Sequence, residues 1–545
     1  MAPVIVKPEV AQGTQAPYVD GAKVLVDGKV VPWEGACSDV VSPLFAADGS
    51  RIVIGRQAVF TPEASVAAVE AAARSWARGR GEWAQKPMEQ RIATVELAVQ
   101  KLKERRSQIV EILQWEICKN DADAAKEFDR TMEYIAASIA QLRAAESTDV
   151  VCDGGVHAIL RRSPVGVMMN LGPMNYPFNE TYATLIPALL CGNSVVMKVP
   201  NLGGLAHVLT MEVYAECFPQ GVVNFVAGRG RDTMPPIMRS GKVDLFAFIG
   251  SSKAADSLIR EHPQPHRLRS LLSLDGKNLG IVLPDADLGV AVKECLAGST
   301  AFNGQRCTAI KLIMLHESIA DDFCMRFSEA IAALSAGPPF GKNAITPLPE
   351  PEKPEYLAEL VEDAKSKGAK VINERGGETD RTLVFPSALY PVTKEMRAFH
   401  EEQFGPLVAI GRYSDVEEVL QHLADVHFGQ QVALFTSSAA QGSKQLSYIL
   451  DACALATCRV NVNAQCQRGP DSFPFAGRKS SALGTIGVSE ALKAVSVETL
   501  VASKSYAETR GIAQGSSVFA PVVSNKDGAL EGPYEKVVGH SLMGA

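Results

Sequence analysis

One cysteine lies in a context that favours nucleophilic chemistry. Cys307 follows Arg306 in segment 302–309, where a predicted helix passes through Gly304 into an apolar run. A fixed cation beside a thiol stabilises the thiolate, so Arg306 offers a route to a lowered pKa. The commoner role of a single cysteine among eleven is a small core residue, and this segment alone leaves both interpretations open.

Two polar side chains lie at the carboxyl ends of predicted strands, where parallel α/β sheets bind ligands. Asn175 follows the apolar run 165–171, and its amide can donate a hydrogen bond to a developing oxyanion. Lys198 lies at the end of the run 194–199, within reach of a ribose hydroxyl or a phosphate. A turn asparagine and a solvated strand-end lysine are the alternative interpretations.

Two glycine-containing turns follow the next predicted strands. Gly230 lies in segment 228–232, and Gly250 and Ser251 lie in segment 248–252. Backbone amides in such turns bind a pyrophosphate at a helix N-terminus. Neither turn is a GxGxxG fingerprint, so the series of turns after successive strands is stronger evidence than any one of them.

The elements that position these turns alternate between short apolar runs and helical segments. The five apolar runs are 165–171, 194–199, 222–227, 245–250 and 279–283. The helix-like stretches between them are 182–190, 205–217 and 254–261. This alternation predicts βαβ units on a parallel sheet, as in a Rossmann-type nucleotide domain, and a second α/β series follows it.

Composition excludes several classes of protein. A chain of 545 residues with 46% hydrophobic and 21% charged residues predicts a multidomain globular protein. The net charge of -7, without a basic stripe, argues against a nucleic-acid partner. No apolar run approaches the length of a membrane span and no signal-like segment is present, so we expect a cytoplasmic protein. Eleven dispersed cysteines without a CxxC pair indicate reduced thiols and no metal site.

In order and spacing, these segments resemble the aldehyde dehydrogenase superfamily from about residue 86 to about residue 501. The shared signatures are Pro-Met-Asn-Tyr-Pro at 173–177, Leu-Cys-Gly-Asn-Ser at 190–194, Phe-Ile-Gly-Ser at 248–251, Gly-Gln-Arg-Cys at 304–307, Glu-Glu-Gln-Phe-Gly-Pro at 401–406 and Phe-Pro-Phe at 473–475. The resemblance implies an α/β fold with a Rossmann-type cofactor domain, an α/β catalytic domain and a small β oligomerisation hairpin. It also implies an NAD(P)-dependent oxidoreductase that acts on a small aldehyde.

The same resemblance implies a division of the chain. Residues 1–149 and 163–276 would form the cofactor domain, and residues 277–484 the catalytic domain. Residues 150–162 and 485–510 would form the oligomerisation strands of a homodimer or homotetramer. Residues 511–545 would be a C-terminal tail.

Site residues carry over position by position. Cys307 matches the nucleophile, and Asn175 with the Cys307 backbone amide matches the oxyanion hole. Tyr176 and Thr308 match substrate-binding positions. The residues at cofactor positions are Lys198, Asn201, Gly230, Gly250, Ser251, Leu274, Glu402 and Phe404, the last two at the nicotinamide ribose and ring. NAD-preferring relatives carry an acidic residue at the position of Asn201, so NADP is the favoured cofactor and NAD the alternative.

A closer resemblance is to the non-phosphorylating glyceraldehyde-3-phosphate dehydrogenases. Arg130, Arg306 and Arg468 match the phosphate-binding positions of that subfamily. Guanidinium groups bind phosphate through paired, charge-assisted hydrogen bonds, which suits this role. Taken alone, Arg130 would instead be assigned to a helix-surface ion pair with Glu127 or Glu133.

The chain departs from the family at the general base. The family stretch Glu-Leu-Gly-Gly-Lys is Ser-Leu-Asp-Gly-Lys here, so Ser273 replaces the glutamate. Loss of one general base typically slows an enzyme about a hundred- to ten-thousand-fold. Three outcomes stay open: Asp275 or Glu402 activates the water, the thioester passes to coenzyme A, or turnover is poor.

The preferred hypothesis is oxidation of glyceraldehyde 3-phosphate to 3-phosphoglycerate with reduction of NADP, through a thiohemiacetal and a thioester on Cys307. The alternatives are a coenzyme A-acylating semialdehyde dehydrogenase and a non-catalytic nucleotide-binding scaffold.

Overall fold

The computed structural model describes residues 7–146, 150–437, 442–514, 516 and 518. Its strands, numbered along the chain, are β1 (Val19–Gly21), β2 (Lys23–Val26), β3 (Lys29–Pro32), β4 (Cys37–Phe45), β5 (Arg51–Ala58), β6 (Val151–Asp153), β7 (Val156–Pro164), β8 (Val167–Leu171), β9 (Ser194–Lys198), β10 (Val223–Val226), β11 (Leu245–Ile249), β12 (Arg269–Ser273), β13 (Asn278–Val282), β14 (Ile310–His316), β15 (Lys370–Val371), β16 (Thr379–Asp380), β17 (Leu383–Val384), β18 (Ser387–Tyr390), β19 (Leu407–Tyr413), β20 (Phe428–Gly429), β21 (Gln431–Phe435), β22 (Arg459–Val462), β23 (Arg478–Lys479), β24 (Ala482–Leu483) and β25 (Ser496–Ser503).

The α-helices are α1 (Pro62–Trp76), α2 (Glu82–Gln85), α3 (Met88–Glu104), α4 (Arg106–Ile117), α5 (Asp121–Ala145), α6 (Asn179–Leu190), α7 (Leu205–Val208), α8 (Met211–Cys217), α9 (Gly230–Arg239), α10 (Ser252–Glu261), α11 (Leu288–Thr300), α12 (Ala320–Ala332), α13 (Lys353–Ser366), α14 (Arg397–His400), α15 (Val416–Asp425), α16 (Lys444–Ala456), α17 (Val488–Ala494) and α18 (Tyr506–Ala513). Within the described ranges, no helix has the length and apolar character needed to cross a membrane. All eleven cysteines are free thiols.

The first large sheet has the strand order β10-β9-β8-β11-β12-β24. Its first five strands are parallel, and β24 pairs antiparallel with β12 at the edge. A parallel sheet buried on both faces needs continuous apolar runs, as in β9, where Val195, Val196 and Met197 are fully buried. The chain reverses its direction of winding between β8 and β11, which is the switch point where such sheets bind ligands. The predicted Rossmann-type sheet is therefore confirmed.

One parallel strand of this sheet was missed and one run was misplaced. Four of the five apolar runs are the strands β8 to β11, but the run 279–283 is β13 in the second sheet. The fifth parallel strand is β12, where Arg269, Ser270 and Ser273 interrupt the apolar pattern. Only Leu271 and Leu272 give an apolar signal, which is too short for a strand prediction.

The predicted helical stretch 205–217 is helical except at Leu209 and Thr210, where it divides into α7 and α8. The Thr210 hydroxyl at the break donates to the carbonyl of His207 at 2.8 Å, offering the backbone an alternative to continuous helix. The two neighbouring helical predictions are confirmed: 182–190 lies within α6, and 254–261 lies within α10.

The second large sheet has the order β15-β18-β19-β14-β13-β21-β22. All its pairs are parallel except the edge pair β15 and β18. Helices α11 and α12 cover one face through residues such as Phe323 and Phe327. Helices α13, α15 and α16 cover the other through residues such as Leu360, Val419 and Ile449. This arrangement confirms the predicted second α/β unit.

A small antiparallel sheet stands apart from the two large ones. Strand β7 pairs with β6 on one side and with β25 on the other, from Ser496 opposite Pro164 to Ser503 opposite His157. Helices α17 and α18 occupy the two ends of the predicted strand range 485–510, and α18 continues to Ala513, inside the predicted tail. Most of that tail lies outside the described residues. The domain limits and the role of this sheet in oligomerisation stay predictions.

Candidate active site

A cavity of about 1300 Å³ lies where the carboxyl ends of the first sheet meet the loops that enter the second sheet. Every site residue predicted from the sequence lines it, although their elements are far apart in the chain. These residues are Arg130, Asn175, Tyr176, Lys198, Asn201, Gly230, Gly250, Ser251, Ser273, Leu274, Arg306, Cys307, Thr308, Glu402, Phe404 and Arg468.

A tight left-handed turn carries the chain from α11 toward Cys307. Phe302, Asn303 and Gly304 have φ values of 47°, 57° and 69° in succession. Side-chain amide hydrogen bonds hold the turn: Asn303 donates to the Thr346 hydroxyl at 3.2 Å and accepts from the Thr346 amide at 2.9 Å. A Cβ on Gly304 would lie 2.6 Å from a backbone carbonyl oxygen of Ser299, so only glycine fits there.

Three contacts fix the backbone around Cys307. Its carbonyl accepts hydrogen bonds from the Asn278 amide at 2.7 Å and from the Lys311 ammonium at 3.3 Å. Two residues before it, the carbonyl of Gln305 accepts from the Asn175 amide at 2.8 Å. The nucleophile candidate is therefore anchored to both sheets, through β13 and β14 on one side and the turn after β8 on the other.

The electrostatics of Cys307 differ from the sequence-based expectation. Burial raises the pKa of its thiol above the ordinary value, and Lys311 is the largest opposing positive charge. Arg306 contributes least, because its guanidinium turns away to the carbonyl of Gly298 at 2.9 Å and that of Ala297 at 3.4 Å. The prediction that Arg306 gives the thiol a lowered pKa was therefore wrong.

Asn175 is 5% exposed and lies in the turn after β8. An amide NH₂ group has two donors, and the Gln305 carbonyl occupies one of them. The other donor has no partner among the described residues, so it can meet an oxygen that develops negative charge in the cavity. The neighbouring Tyr176 ring lies under the buried ammonium of Lys119, 3.4 Å from the ring centroid, which holds the ring in place.

The carboxylates near the missing general base are already engaged. Ser273 ends β12 and is 4% exposed. Asp275 accepts from both the amide and the hydroxyl of Ser252 at 2.7 Å, at the start of α10. Glu402 accepts from the Lys311 ammonium at 2.5 Å and the Gly276 amide at 3.2 Å. Neither carboxylate therefore stands ready as an unpaired substitute for the family glutamate.

The cofactor candidates follow the carboxyl edge of the first sheet. Lys198 ends β9, and burial lowers the pKa of its ammonium to about 7. Its one hydrogen-bond partner in the described part of the chain is the Asn201 side chain at 2.7 Å, so two of its donors remain for a ligand. Gly230 begins α9, and Ser251 caps α10 after Gly250, which directs two helix N-termini at the cavity.

The candidate residues for nicotinamide binding line the other end of the cavity. Phe404 has a φ of 44°, and its ring centroid lies 5.6 Å from the Lys311 ammonium. Leu274 connects β12 to the loop before β13, and its amide donates to the carbonyl of Ser481 at 2.9 Å. Thr308 is buried directly after Cys307.

Two of the three arginines form an ion-pair network. Arg130 donates twice to the Asp471 carboxylate, at 2.9 and 2.7 Å, so the alternative partners Glu127 and Glu133 were wrong. Arg468 is 7% exposed and forms ion pairs with Glu180 and with Asp471, the latter at 3.5 Å. Burial lowers the pKa of Arg468 to about 10.

Comparison with known proteins decides the family. The model of the aldehyde dehydrogenase family matches residues 48–501. The chain belongs to the aldehyde dehydrogenase family. It is an oxidoreductase whose reaction class is aldehyde oxidation, as the sequence motifs predicted.

Individual relatives of this aldehyde dehydrogenase share much of its length. It is 34% identical to the NADP-dependent glyceraldehyde-3-phosphate dehydrogenase of Streptococcus equinus over 393 residues, covering 70% of this chain and 80% of the relative. It is 30% identical to the protein of the same name from Pisum sativum over 424 residues, covering 75% and 82%. The crystal structure of the NADP-dependent glyceraldehyde-3-phosphate dehydrogenase from Bacillus halodurans C-125 complexed with NADP matches with a TM-score of 0.80 at 28% identity, covering 89% of this chain and 99% of that one.

Several residues of this aldehyde dehydrogenase site were missed by sequence reasoning. Lys311 interrupts the apolar run of β14, which is a visible signal because a lysine on a buried strand needs partners. Lys119 forms a fully buried ion pair with Glu127, which in turn accepts from the amides of Phe178 and Asn179. Glu127 lies 51 and 52 residues from Phe178 and Asn179, and Lys311 lies 35 and 91 residues from Gly276 and Glu402, so no local pattern predicts these contacts.

The turn before Cys307 should tolerate no side chain at Gly304. We expect Gly304→Ala to lower the thermal unfolding midpoint and abolish activity, because it combines left-handed strain of about 1–2 kcal/mol with a backbone clash. Gly341→Ala is the matched control, since it has a φ of 100° but no neighbouring atom within 4 Å of the added Cβ. Equal losses of stability in the two variants would contradict this account of the turn.

The raised pKa of Cys307 predicts slow alkylation of the nucleotide-free enzyme near neutral pH. The rate of iodoacetamide labelling of Cys307, measured by mass spectrometry of its peptide, should rise with pH because only the thiolate reacts. The midpoint of this rise should lie above the pKa of an ordinary thiol, which is about 8.5. A rate that is already maximal at pH 7 would show that the thiolate is stabilised in the free enzyme.

Proposed function

We propose that this enzyme oxidises glyceraldehyde 3-phosphate to 3-phosphoglycerate with reduction of NADP. The observation that carries the proposal is Arg468: it is a buried guanidinium that lines the same cavity as Cys307, and its charge is met there by Glu180 and Asp471. A guanidinium that already binds carboxylates in a ligand-sized cavity is suited to a phosphate that takes the place of one of them. Arg130 and Arg306 line the same cavity.

The charge of the cavity supports an anionic substrate and an anionic cofactor. Eight lysines and arginines line it against six carboxylates, whereas the whole chain carries a net charge of -7. A cleft that is positive within an acidic protein concentrates phosphate-bearing ligands. Glu180 and Asp471 temper the charge of Arg468 and Arg130, so a phosphate would compete with these carboxylates for the guanidinium groups.

The residues present fit a phosphorylated dinucleotide. Lys198 offers unused donors beside the neutral Asn201, and the N-termini of α9 and α10 face the cavity. No carboxylate occupies position 201 to repel a 2′-phosphate. The similarity to NADP-dependent relatives supports the same choice, with NAD as the alternative. When bound, the nicotinamide group would accept the hydride that leaves the substrate.

The residues of this chain account for the first half of the reaction. The Cys307 sulfur would attack the aldehyde carbon, and the oxygen would become an oxyanion. The free donor of the Asn175 amide and the backbone amide of Cys307 would stabilise that oxyanion. The contacts to the carbonyls of Gln305 and Cys307 hold both groups in place before the substrate arrives.

The second half requires hydrolysis of the Cys307 thioester. Ser273 supplies no carboxylate to activate water, and Asp275 is committed to Ser252. Glu402 already accepts hydrogen bonds from the Lys311 ammonium and the Gly276 amide. We therefore propose that deacylation is the slow step of turnover.

One observation favours a second candidate function. Without a glutamate at position 273, the thioester would persist long enough for a thiol such as coenzyme A to take the acyl group. That reaction needs no general base of the kind that water needs, since a thiolate is itself a nucleophile.

We also propose that the β6-β7-β25 sheet builds a homodimer or homotetramer. Strand β25 is an edge strand of this sheet, and its side chains Val497 and Leu500 are 41% and 59% exposed in the single chain. An apolar sheet edge of this kind is a ready pairing surface.

The role of Arg468 predicts a selective loss of affinity. Arg468→Gln should raise KM for glyceraldehyde 3-phosphate at least about tenfold, since a hydrogen bond to a charged group contributes about 1.5–3 kcal/mol. KM for unphosphorylated glyceraldehyde should change far less in the same steady-state assay. Arg412→Gln, an exposed arginine of β19 outside the cavity, is the control. Parallel increases for both aldehydes would count against a phosphate site at Arg468.

Slow deacylation predicts burst kinetics. Stopped-flow absorbance should record about one NADPH per active site before a slow steady phase, and Ser273→Glu should accelerate that phase by up to about a hundredfold. Ser273→Gln, which adds similar bulk without charge, should not. Acceleration of the wild-type enzyme by coenzyme A would assign the acylating function. A linear time course with no response to Ser273→Glu would refute slow deacylation.

A further inference from the structure

Lys311 lies at the junction of three segments that build the active site. It is the second residue of β14, and its side chain is 1% exposed. Its ammonium donates to the carbonyl of Gly276 at 2.8 Å, to the carbonyl of Cys307 at 3.3 Å and to the Glu402 carboxylate at 2.5 Å. These acceptors use all three donors of the ammonium, each on a different loop.

The charged groups around Cys307 are few. Lys311, Glu402 and Arg306 contribute to its electrostatics, and the Gln430 side chain faces the thiol. Arg306 is directed to the carbonyls of α11, which leaves the Lys311–Glu402 pair as the principal local charges. Lys277 is the other buried cation that faces Lys311. No other cation within the described ranges donates to the backbone of Cys307.

We infer that Lys311 is a positioning residue that couples the nucleophile to Glu402. Its ammonium fixes the Cys307 turn, the 273–277 loop and the Glu402 carboxylate relative to one another. The same ammonium supplies the positive charge that favours the thiolate. The inference rests on the proposed role of Cys307 as nucleophile. Loss of the ammonium would release Glu402 and remove the cation that offsets burial of the thiol. A change of opposite sign is expected when the carboxylate is neutralised and the ammonium is retained.

Lys277 provides a matched control for the loss of a buried lysine. It is 6% exposed, and its ammonium also has three acceptors: the carbonyls of Ala398 and Glu401 and the side chain of Gln403. None of these acceptors belongs to the Cys307 turn. Removal of either lysine breaks a similar set of buried hydrogen bonds. A difference between the two variants in the labelling midpoint of Cys307 therefore reflects the position of the lost charge rather than a loss of stability.

The test is the pH profile of iodoacetamide labelling of Cys307 in the full-length, nucleotide-free enzyme, read by mass spectrometry of the Cys307 peptide. Lys311→Met should move the midpoint to higher pH by about one unit, which is about tenfold slower labelling near neutral pH. Lys277→Met, which keeps the ammonium that contacts Cys307, should move the midpoint less than Lys311→Met does at a comparable thermal unfolding midpoint. Equal midpoints in wild type and Lys311→Met would overturn the inference.

A second variant decides the matter even when Lys311→Met fails to fold. Glu402→Gln keeps the ammonium but removes the carboxylate, so the labelling midpoint should fall below that of wild type. General disruption of the site would not reverse the sign of the shift in this way. An unchanged or raised midpoint in Glu402→Gln would overturn the coupling. Because labelling needs no aldehyde, failure here is distinguishable from failure of the proposed substrate, which the KM measurements test.

Discussion

The short connection between β12 and β13 is the constraint on which the site depends. Ser273 ends a strand of the first sheet and Asn278 begins a strand of the second, so only residues 274–277 separate these two strands. This connection brings the carboxyl ends of one parallel sheet against the entry loops of another. A cavity of about 1300 Å³ forms at that meeting and receives groups from both sheets.

Residues 275–277 of the connection each contact a different part of the site. Asp275 caps the start of α10, Gly276 contacts both Lys311 and Glu402, and Lys277 holds the loop that carries Glu402. Asn278, the first residue after it, fixes the carbonyl of Cys307. Buried polar groups of this kind stabilise a structure only when every partner is present, so the connection specifies one arrangement of the catalytic loops rather than adding general stability.

Local patterns in the sequence predicted the features that local physics determines. Apolar runs gave β8 to β11, and the motifs around Asn175, Cys307 and Glu402 gave residues that the fold brings into one cavity. Two of the misses concern partners distant in the chain. The partly polar strand β12 is held by pairing on both sides, and Asp471, not a neighbour in the same helix, pairs with Arg130. The direction of the Arg306 side chain depends on carbonyls of α11 and could not be read from adjacency alone.

The fold accommodates Ser273 in place of the family glutamate. The contacts that hold residue 273 are made by its backbone and not by its side chain. Its carbonyl accepts from Gly250 at 3.1 Å and its strand pairs with β11 and β24 whatever side chain it bears. A carboxylate there would add a negative charge to a cavity in which burial already raises the pKa of the Cys307 thiol. Serine removes that repulsion while it removes the base. On the proposed mechanism, serine at position 273 would favour formation of the thiolate over hydrolysis of the thioester, and the proposed role of Lys311 would then weigh more in how readily Cys307 reacts.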